Sequence, residues 1–327
     1  MLLEVWKDFD YKITGVSDYV EYEVNVYTPD DGAYDENIYK GRAKAKPNTK
    51  EVTIRLSDFA KDVVNSKADD RFLDGVNRFC MLDNYCMGVG VVHNNKETIY
   101  NFINNYDYNE SNKIPYIISN PITEYTDRGY NIISIFNESN RLAEFGVEWA
   151  KNSFNYEIYP YQAFLFQLKN MAVGNYKIVD ETNKTLYEFT VKHSCSRYKI
   201  QYINAMGGYD TMVLEAPRDL RTDNFSFDNY ETNFNNQNIQ QRGVNRYKVD
   251  ITPKWELHTG WLNDEQSKKM YNVFSSTMIW LEDTEEDKIY PVHITNNSLD
   301  YKTFTNNGKK LISYTINLES SNKITKH

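Results

Sequence analysis

The chain has 327 residues, a formal net charge of −9 and 15% aromatic residues, including 27 Tyr and 16 Phe. This length suffices for more than one domain, and much of the core must be aromatic. The acidic balance argues against a broad nucleic-acid surface, which needs clustered Lys and Arg.

From the N-terminus, Val20, Tyr22, Val24 and Val26 alternate with Glu21, Glu23 and Asn25, the period of a half-buried strand. Asp30, Asp31 and Gly32 supply a turn before a strand across residues 38–43. A third strand, with Val52, Ile54 and Leu56 on one side, runs into Ser57, read as the N-cap of a short helix through Phe59, Val63 and Val64. Residues 88–92 form an apolar run that fits a buried strand. Its Gly-Val-Gly lacks the third glycine or the Gly-Lys-Ser/Thr of a phosphate loop.

The middle of the chain carries period-two runs at Phe154, Tyr156 and Ile158, at Phe164, Phe166 and Leu168, at Phe189 and Val191, and at Tyr198, Ile200 and Tyr202. Short strands with intervening turns predict a β-sandwich. Gly207 and Gly208 fit a tight hairpin turn with positive φ. Residues 219–241 are rich in Asn, Asp and Gln, are interleaved with Phe225, Phe227, Tyr230 and Phe234, and are flanked by Arg218, Arg221, Arg242, Arg246 and Lys248. They read as an extended arm whose aromatics dock on a neighbouring subunit, with stacking of single-stranded bases as the sharper alternative.

In the last segment Tyr247, Val249 and Ile251 alternate with Lys248 and Asp250, and Ile312, Tyr314, Ile316 and Leu318 alternate with Ser313, Thr315, Asn317 and Glu319. Between these strands Asn263 stands at an N-cap, Gln266 at the capping-box position, and Met270, Val273, Phe274 and Thr277 at helical spacing. Residues 278–282 and 290–294 flank a solvated acidic connection, residues 283–287, which lacks the ligand spacing of a calcium loop. Trp261 is expected to be a buried ring whose loss unfolds this module.

The fold class predicted is therefore mainly β: successive antiparallel β-sandwich-like modules, the last a sheet with one packed α-helix. The expected boundaries are an N-terminal β module at 1–130, a middle β-sandwich at 131–218, an extended linker or arm at 219–245, and a C-terminal β module with one helix at 246–327.

Gly260, Trp261, Leu262 and Glu265 before the helix, residues 279–281 after it, Pro291 with Val292, Tyr301 with Lys302, and the closing run from Tyr314 to Glu319 with Asn322 together resemble a C-terminal module of structural proteins of tailed phages that infect Bacteroidetes, including the crAss-like group. The Asn204-to-Asp210 turn resembles a turn of the same family, with Tyr209 where tryptophan is expected. Tyr39, Lys40, Gly41, Arg42, Ala43 and Pro47, followed by residues 52–56, resemble its first module. The resemblance spans about half the chain. It implies a virion structural protein of the tail or tail-portal region, made in the host bacterial cytoplasm, with copies of itself in a ring and other tail or portal proteins as partners.

No arrangement of residues announces catalysis. His93, His193, His258, His293 and His327 are scattered, and no Gly-x-Ser-x-Gly, His-Glu-x-x-His or Walker-type string occurs. Three cysteines, an odd and sparse number, fit a reducing compartment. Cys80 and Cys86 with His93 are spaced wrongly for a zinc knuckle. The start continues through Glu4, Lys7 and Asp8 instead of the apolar run of a leader, and no segment has the length of a membrane span. No cofactor, metal, membrane or sequence-specific nucleic acid is expected. Two functions from different classes remain. One is a ring-forming structural subunit, with Phe225, Phe227, Tyr230, Phe234, Arg242 and Arg246 as its interaction residues. The other is a glycan- or receptor-binding module, with Tyr156, Tyr159 and Tyr161 stacking on sugar rings.

Overall fold

A computed structural model describes the chain except residues 1, 31–32, 47, 68–77, 83–84, 105–116, 120–123, 138–142, 150–151, 159–161, 215–219, 232–243, 297–303, 307–308 and 327. The fold is mainly β and divides into two compact units, Met1–Ser194 with Ile203–Thr211, and Cys195–Tyr202 with Met212–His327.

In chain order the first part contains β1 (Leu2–Glu4), β2 (Asp10–Thr14), β3 (Tyr19–Asp30), β4 (Ala33–Lys44), β5 (Glu51–Arg55), α1 (Leu56–Lys67), β6 (Arg78–Met81), β7 (Cys86–His93) and β8 (Lys96–Ile103). There follow β9 (Tyr125–Thr126), β10 (Tyr130–Phe136), β11 (Ala143–Trp149), β12 (Asn152–Ile158), β13 (Ala163–Lys169), β14 (Gly174–Asp180) and β15 (Thr185–Lys192). A five-stranded sheet in the order β1-β8-β7-β3-β4 and the two-stranded sheet β2-β5 share one core with α1. Val24, Val26, Val89, Val91 and Phe102 enter it from the large sheet, Ile13, Val52 and Ile54 from the small one, and Leu56, Ala60, Val63 and Val64 from the helix. The alternation read over residues 20–26 is thus a core face. The helix, however, begins at Leu56, one residue before the expected cap. The Ser57 hydroxyl instead accepts the N–H of Phe9 at 3.4 Å, tying the helix start to the strand beside it.

A second core lies between the sheets β10-β13-β6 and β12-β11-β14-β15-β9. Ile133, Ile135, Phe164 and Phe166 face Phe145, Val147, Tyr176, Ile178, Phe189 and Val191, which makes this a β-sandwich. The sheets are mostly antiparallel, but β1 runs parallel to β8 and β9 parallel to β15. Strand β6, from the segment assigned to the N-terminal module, pairs with β13 of the sandwich.

The remainder contains β16 (Tyr198–Ile203), β17 (Tyr209–Leu214), β18 (Leu220–Glu231), β19 (Val244–His258), α2 (Asp264–Ser275), β20 (Ile279–Asp283), β21 (Lys288–Ile294), β22 (Phe304–Asn306), β23 (Lys309–Leu311), β24 (Thr315–Ser320) and β25 (Ile324–Lys326). Its sheet runs β17-β16-β20-β21-β24-β19-β18, with β25 also on β19. One helix lies on this sheet, as predicted. Met270 and Val273 are fully buried against Ile200, Trp255, Leu257, Leu281 and Ile316. Asn263 caps α2 through a capping box: its side chain accepts the Gln266 N–H at 2.8 Å while Gln266 Oε1 accepts the Asn263 N–H at 3.1 Å. Thr277 falls beyond the helix and is exposed. Ile312, Tyr314, Ile316 and Leu318 are buried and Ser313 and Thr315 exposed, as the alternation requires.

Trp261 is a correction. It is 69% exposed, while the buried indoles of this part are Trp255 and Trp280, at 2% and 4%. The turn at Gly260, with φ 71°, precedes Leu262, and it is Leu262 that enters the core. The tip of the β16–β17 hairpin behaves as its glycines require. Gly207 has φ 78°, and a Cβ there would lie 1.5 Å from the Asn104 carbonyl oxygen. Asn204 fixes the turn from inside: its Oδ1 accepts the N–H groups of Met206 and Gly208, and its amide donates to the Ile118 carbonyl at 2.8 Å and to Asp210 at 2.9 Å.

Candidate interaction surface

Of the stretch read as an arm, Leu220–Glu231 is extended but is a paired strand, β18, while residues 219 and 232–243 lie outside the described residues. Strand β18 pairs along its whole length with β19, from Leu220 opposite Glu256 to Glu231 opposite Val244. Thr222, Phe225, Phe227 and Tyr230 supply the strand preference that the Asn and Asp content masks. On its other side β19 takes β24 at Lys254–His258 and β25 at Val249–Ile251. Among the described residues, the ladder from Val244 to Lys248 is therefore paired with β18 alone and forms a two-stranded ribbon beyond the sheet.

Side chains from Leu220 to Asn229 are exposed. Phe225 and Phe227, two positions apart, project from one face with rings 6.4 Å apart and 4° from parallel. They stand opposite Ile251 and Val249, and Ile251 stands opposite Ile324. A bulge then matters: the ladder passes from Asp228–Lys248 to Asn229–Arg246 and skips Tyr247. In a regular strand Arg246 would point to the face opposite Val249. The extra residue turns it back, so that its guanidinium lies 3.8 Å from the centre of the Phe227 ring. Such a contact is worth about 0.5–1 kcal/mol at an exposed site. Phe225 is 56% and Phe227 41% exposed even so, and Ile324 is 50% exposed on the same face.

At its base β18 is clamped by Arg221, whose guanidinium lies 5.8 Å from the rings of both Trp255 and Tyr290 and 3.4 Å from Glu286. The acidic connection after β20 is organised from a distance. Asp283, 1% exposed, receives the Arg197 guanidinium at 2.7 and 3.0 Å and the N–H groups of Glu285 and Glu286 at 3.1 Å. Burial alone would raise its pKa, but these donors hold the carboxyl below its usual range, and Arg197 is raised in turn by the hydrogen bond to Asp283. The loop is a hairpin connection as predicted, with a buried ion pair that its composition did not reveal.

Of the interaction residues named from sequence, Phe225, Phe227 and Arg246 come together. Tyr230 lies in β18, its side chain outside the described residues, as are Phe234 and Arg242. The sugar-stacking candidates Tyr159 and Tyr161 and the Tyr156 side chain also lie outside them. Compared with known proteins, the chain matches no family model and no curated protein. Among the described residues, no group of three or more His, Cys, Asp and Glu is placed to hold a metal, and no helix is long and apolar enough to cross a membrane. Cys86 and His93 sit at opposite ends of β7, about 23 Å apart at the rise of a strand, too far to share an ion. Burial pushes the Cys86 thiol up to about 12.

The ribbon has no excess of cations, with Arg221, Arg246 and Lys248 set against Asp223, Asp228, Glu231 and Asp250. Lys248 lies 3.0 Å from Asp250, a bond that raises the lysine and lowers the carboxyl. A surface with no surplus cation has little hold on phosphates. It suits an apolar and aromatic protein contact, in which rings and arginine are the commonest anchors.

Proposed function

We propose that this chain is a structural subunit, used in many copies, of the tail or tail-portal region of a tailed phage virion, assembling as a ring and performing no catalysis. It is made in the host cytoplasm and joins other tail or portal proteins. The observation that carries the reading is the β18–β19 ribbon. Its paired phenylalanines and overlying arginine stand in solvent, and a two-stranded ribbon gains stability only when something packs on it. The resemblance of the capped-helix module and the Asn204–Asp210 turn to phage structural proteins supplies the setting.

The test is the size of the purified chain at micromolar concentration, by light scattering and negative-stain imaging, followed by antibody labelling of intact particles. A ring-sized species and label at the tail support the proposal. A monomer at every concentration, or label absent from particles, overturns it. Replacing Phe225 and Phe227 together by Ser should reduce assembly while lowering subunit stability by no more than about 1 kcal/mol, the scale of the lost Arg246 contact, because neither ring is among the buried core residues.

A further inference from the structure

The five-stranded sheet of the first unit carries an open groove of about 490 Å³ on its outer face, within the size range of ligand clefts. Strand β3 is its floor. Val20, Val24 and Val26 of that strand turn into the core, so Glu21 and Glu23 turn outward. On one side Arg42 and Lys40 of β4 stand opposite Glu21 and Glu23. On the other side stand Val92 of β7, opposite Glu23, and the turn of Asn94 and Asn95 that joins β7 to β8. Both asparagines have positive φ, 53° and 59°. Most of this polar lining is unspent. Glu23 and Lys40 meet at 3.6 Å, and the Arg42 guanidinium lies 4.5 Å from the centre of the Tyr19 ring. Among the described residues, neither the Glu21 carboxylate nor the side-chain amides of Asn94 and Asn95 have a partner in the chain, and the guanidinium N–H groups of Arg42 have no acceptor.

We infer that this groove binds a neutral oligosaccharide. Glu21 and Glu23 balance Lys40 and Arg42, so the lining has no net formal charge. An anion drawn to Arg42 meets the two glutamates beside it, and a cation drawn to the glutamates meets Lys40 and Arg42, so neither sign of ion is favoured. An apolar ligand is excluded too, because it would strip water from these groups and leave them unpaired. What the groove offers is hydrogen bonding of both senses. A carboxylate accepts, a guanidinium donates, and an asparagine amide does both. A hydroxyl also does both, and adjacent hydroxyls on a sugar ring can span the two oxygens of Glu21 or two N–H groups of Arg42 as paired, charge-assisted contacts. Stacking on Tyr19 holds the Arg42 plane in place beforehand, which lowers the entropy lost on binding. Half-buried Val92 gives the C–H face of a ring an apolar seat. From the Asn94 turn across β3 to β4 the groove crosses three neighbouring strands, about 10 Å at their usual spacing, which is room for more than one ring. Binding here needs no second copy of the chain.

The experiment titrates the full chain with maltotriose, cellotriose, mannotriose and triacetylchitotriose, and saturation-transfer NMR reads the ring C–H signals of each. At least one of these trisaccharides should bind. Its affinity should change less than about twofold between 0.05 and 0.5 M salt, since an uncharged ligand feels little screening. Three variants test the place. Asn94→Gly with Asn95→Gly removes both amides and keeps the turn, because glycine adopts positive φ freely. Glu21→Gln and Arg42→Met keep the size of the side chain, and circular dichroism checks that all three fold. Each should weaken the bound trisaccharide about tenfold, the scale of one or two lost hydrogen bonds. No transfer to any of the four sugars at about 20 mM, well above the ~1 mM of a weak specific complex, overturns the inference. Unchanged affinity in the Asn94 and Asn95 variant and in Arg42→Met puts the sugar elsewhere and overturns it as well. Tighter binding of tripolyphosphate, or of the peptide Glu-Ala-Lys, than of every trisaccharide overturns it by assigning the groove to a charged ligand.

Discussion

Replacing Arg197 by Met isolates the ion pair that organises the acidic loop. The Asp283 side chain is 1% exposed and that of Arg197 is 35% exposed. Removing one partner of a fully buried pair costs about 3–5 kcal/mol. Here the cation is partly solvated, and the N–H groups of Glu285 and Glu286 remain to serve the carboxylate. The contacts of Arg197 to Glu285 and Glu286, at 3.3 and 3.4 Å, are exposed and add little. The expected loss is therefore about 2–3 kcal/mol near pH 7. Met keeps the length of the side chain, and the Arg197 carbonyl still accepts from the Thr284 N–H at 2.8 Å and from its hydroxyl at 2.9 Å. The sign with pH follows from the lowered Asp283 carboxyl. Its stabilisation is fully present above the unfolded-state value of about 3.9 and disappears as pH falls through the lower folded-state value. The gap between wild type and variant should thus be widest at neutral pH and shrink below about pH 4. Urea unfolding followed by tryptophan fluorescence, which Trp255 and Trp280 report from this sheet, measures it. A gap that is under about 0.5 kcal/mol at neutral pH, or that persists unchanged in acid, refutes the reasoning.

Trp255→Ala should cost about 3–5 kcal/mol in thermal or urea unfolding, while Trp261→Ala should change stability by less than about 0.5 kcal/mol, because only the first ring is in the core. Gly207→Ala should destabilise by more than the roughly 1–2 kcal/mol of the left-handed conformation alone, since the new methyl meets the Asn104 carbonyl; calorimetry gives the value. Cys86 should resist thiol reagents near neutral pH until the chain is denatured, its thiol being buried and pushed up to about 12, whereas the exposed Cys195 should be modified in the native state, as mass spectrometry of alkylated protein will show.

Local signals were the legible ones. The capping box at Asn263 and Gln266 and the alternation over residues 20–26 and 312–318 depend on neighbours within a turn or a strand, and they appear in the structure where the residues put them. What eluded the sequence depends on partners far along the chain. Arg197 and Asp283 are 86 positions apart. The exposure of Trp261 follows from the turn at Gly260, which hands the core position to Leu262. Strand β18 was hidden because its polar residues mimic a linker, and only the facing strand reveals the ladder. Of the interaction surface, the residue types at 225, 227 and 246 were readable, but their meeting was not, because it takes the skipped Tyr247 to bring Arg246 over the ring.

The β16–β17 hairpin has a genetic consequence. Its turn belongs to the first unit and its strand stems to the second. A break in the gene after Ser194 would leave one unit without Asn204 and Asp210, and a break after Thr211 would leave the other without its β16 stem. Recombination can therefore exchange the pair as a whole but cannot trade either half cleanly, which makes the two units a single heritable part.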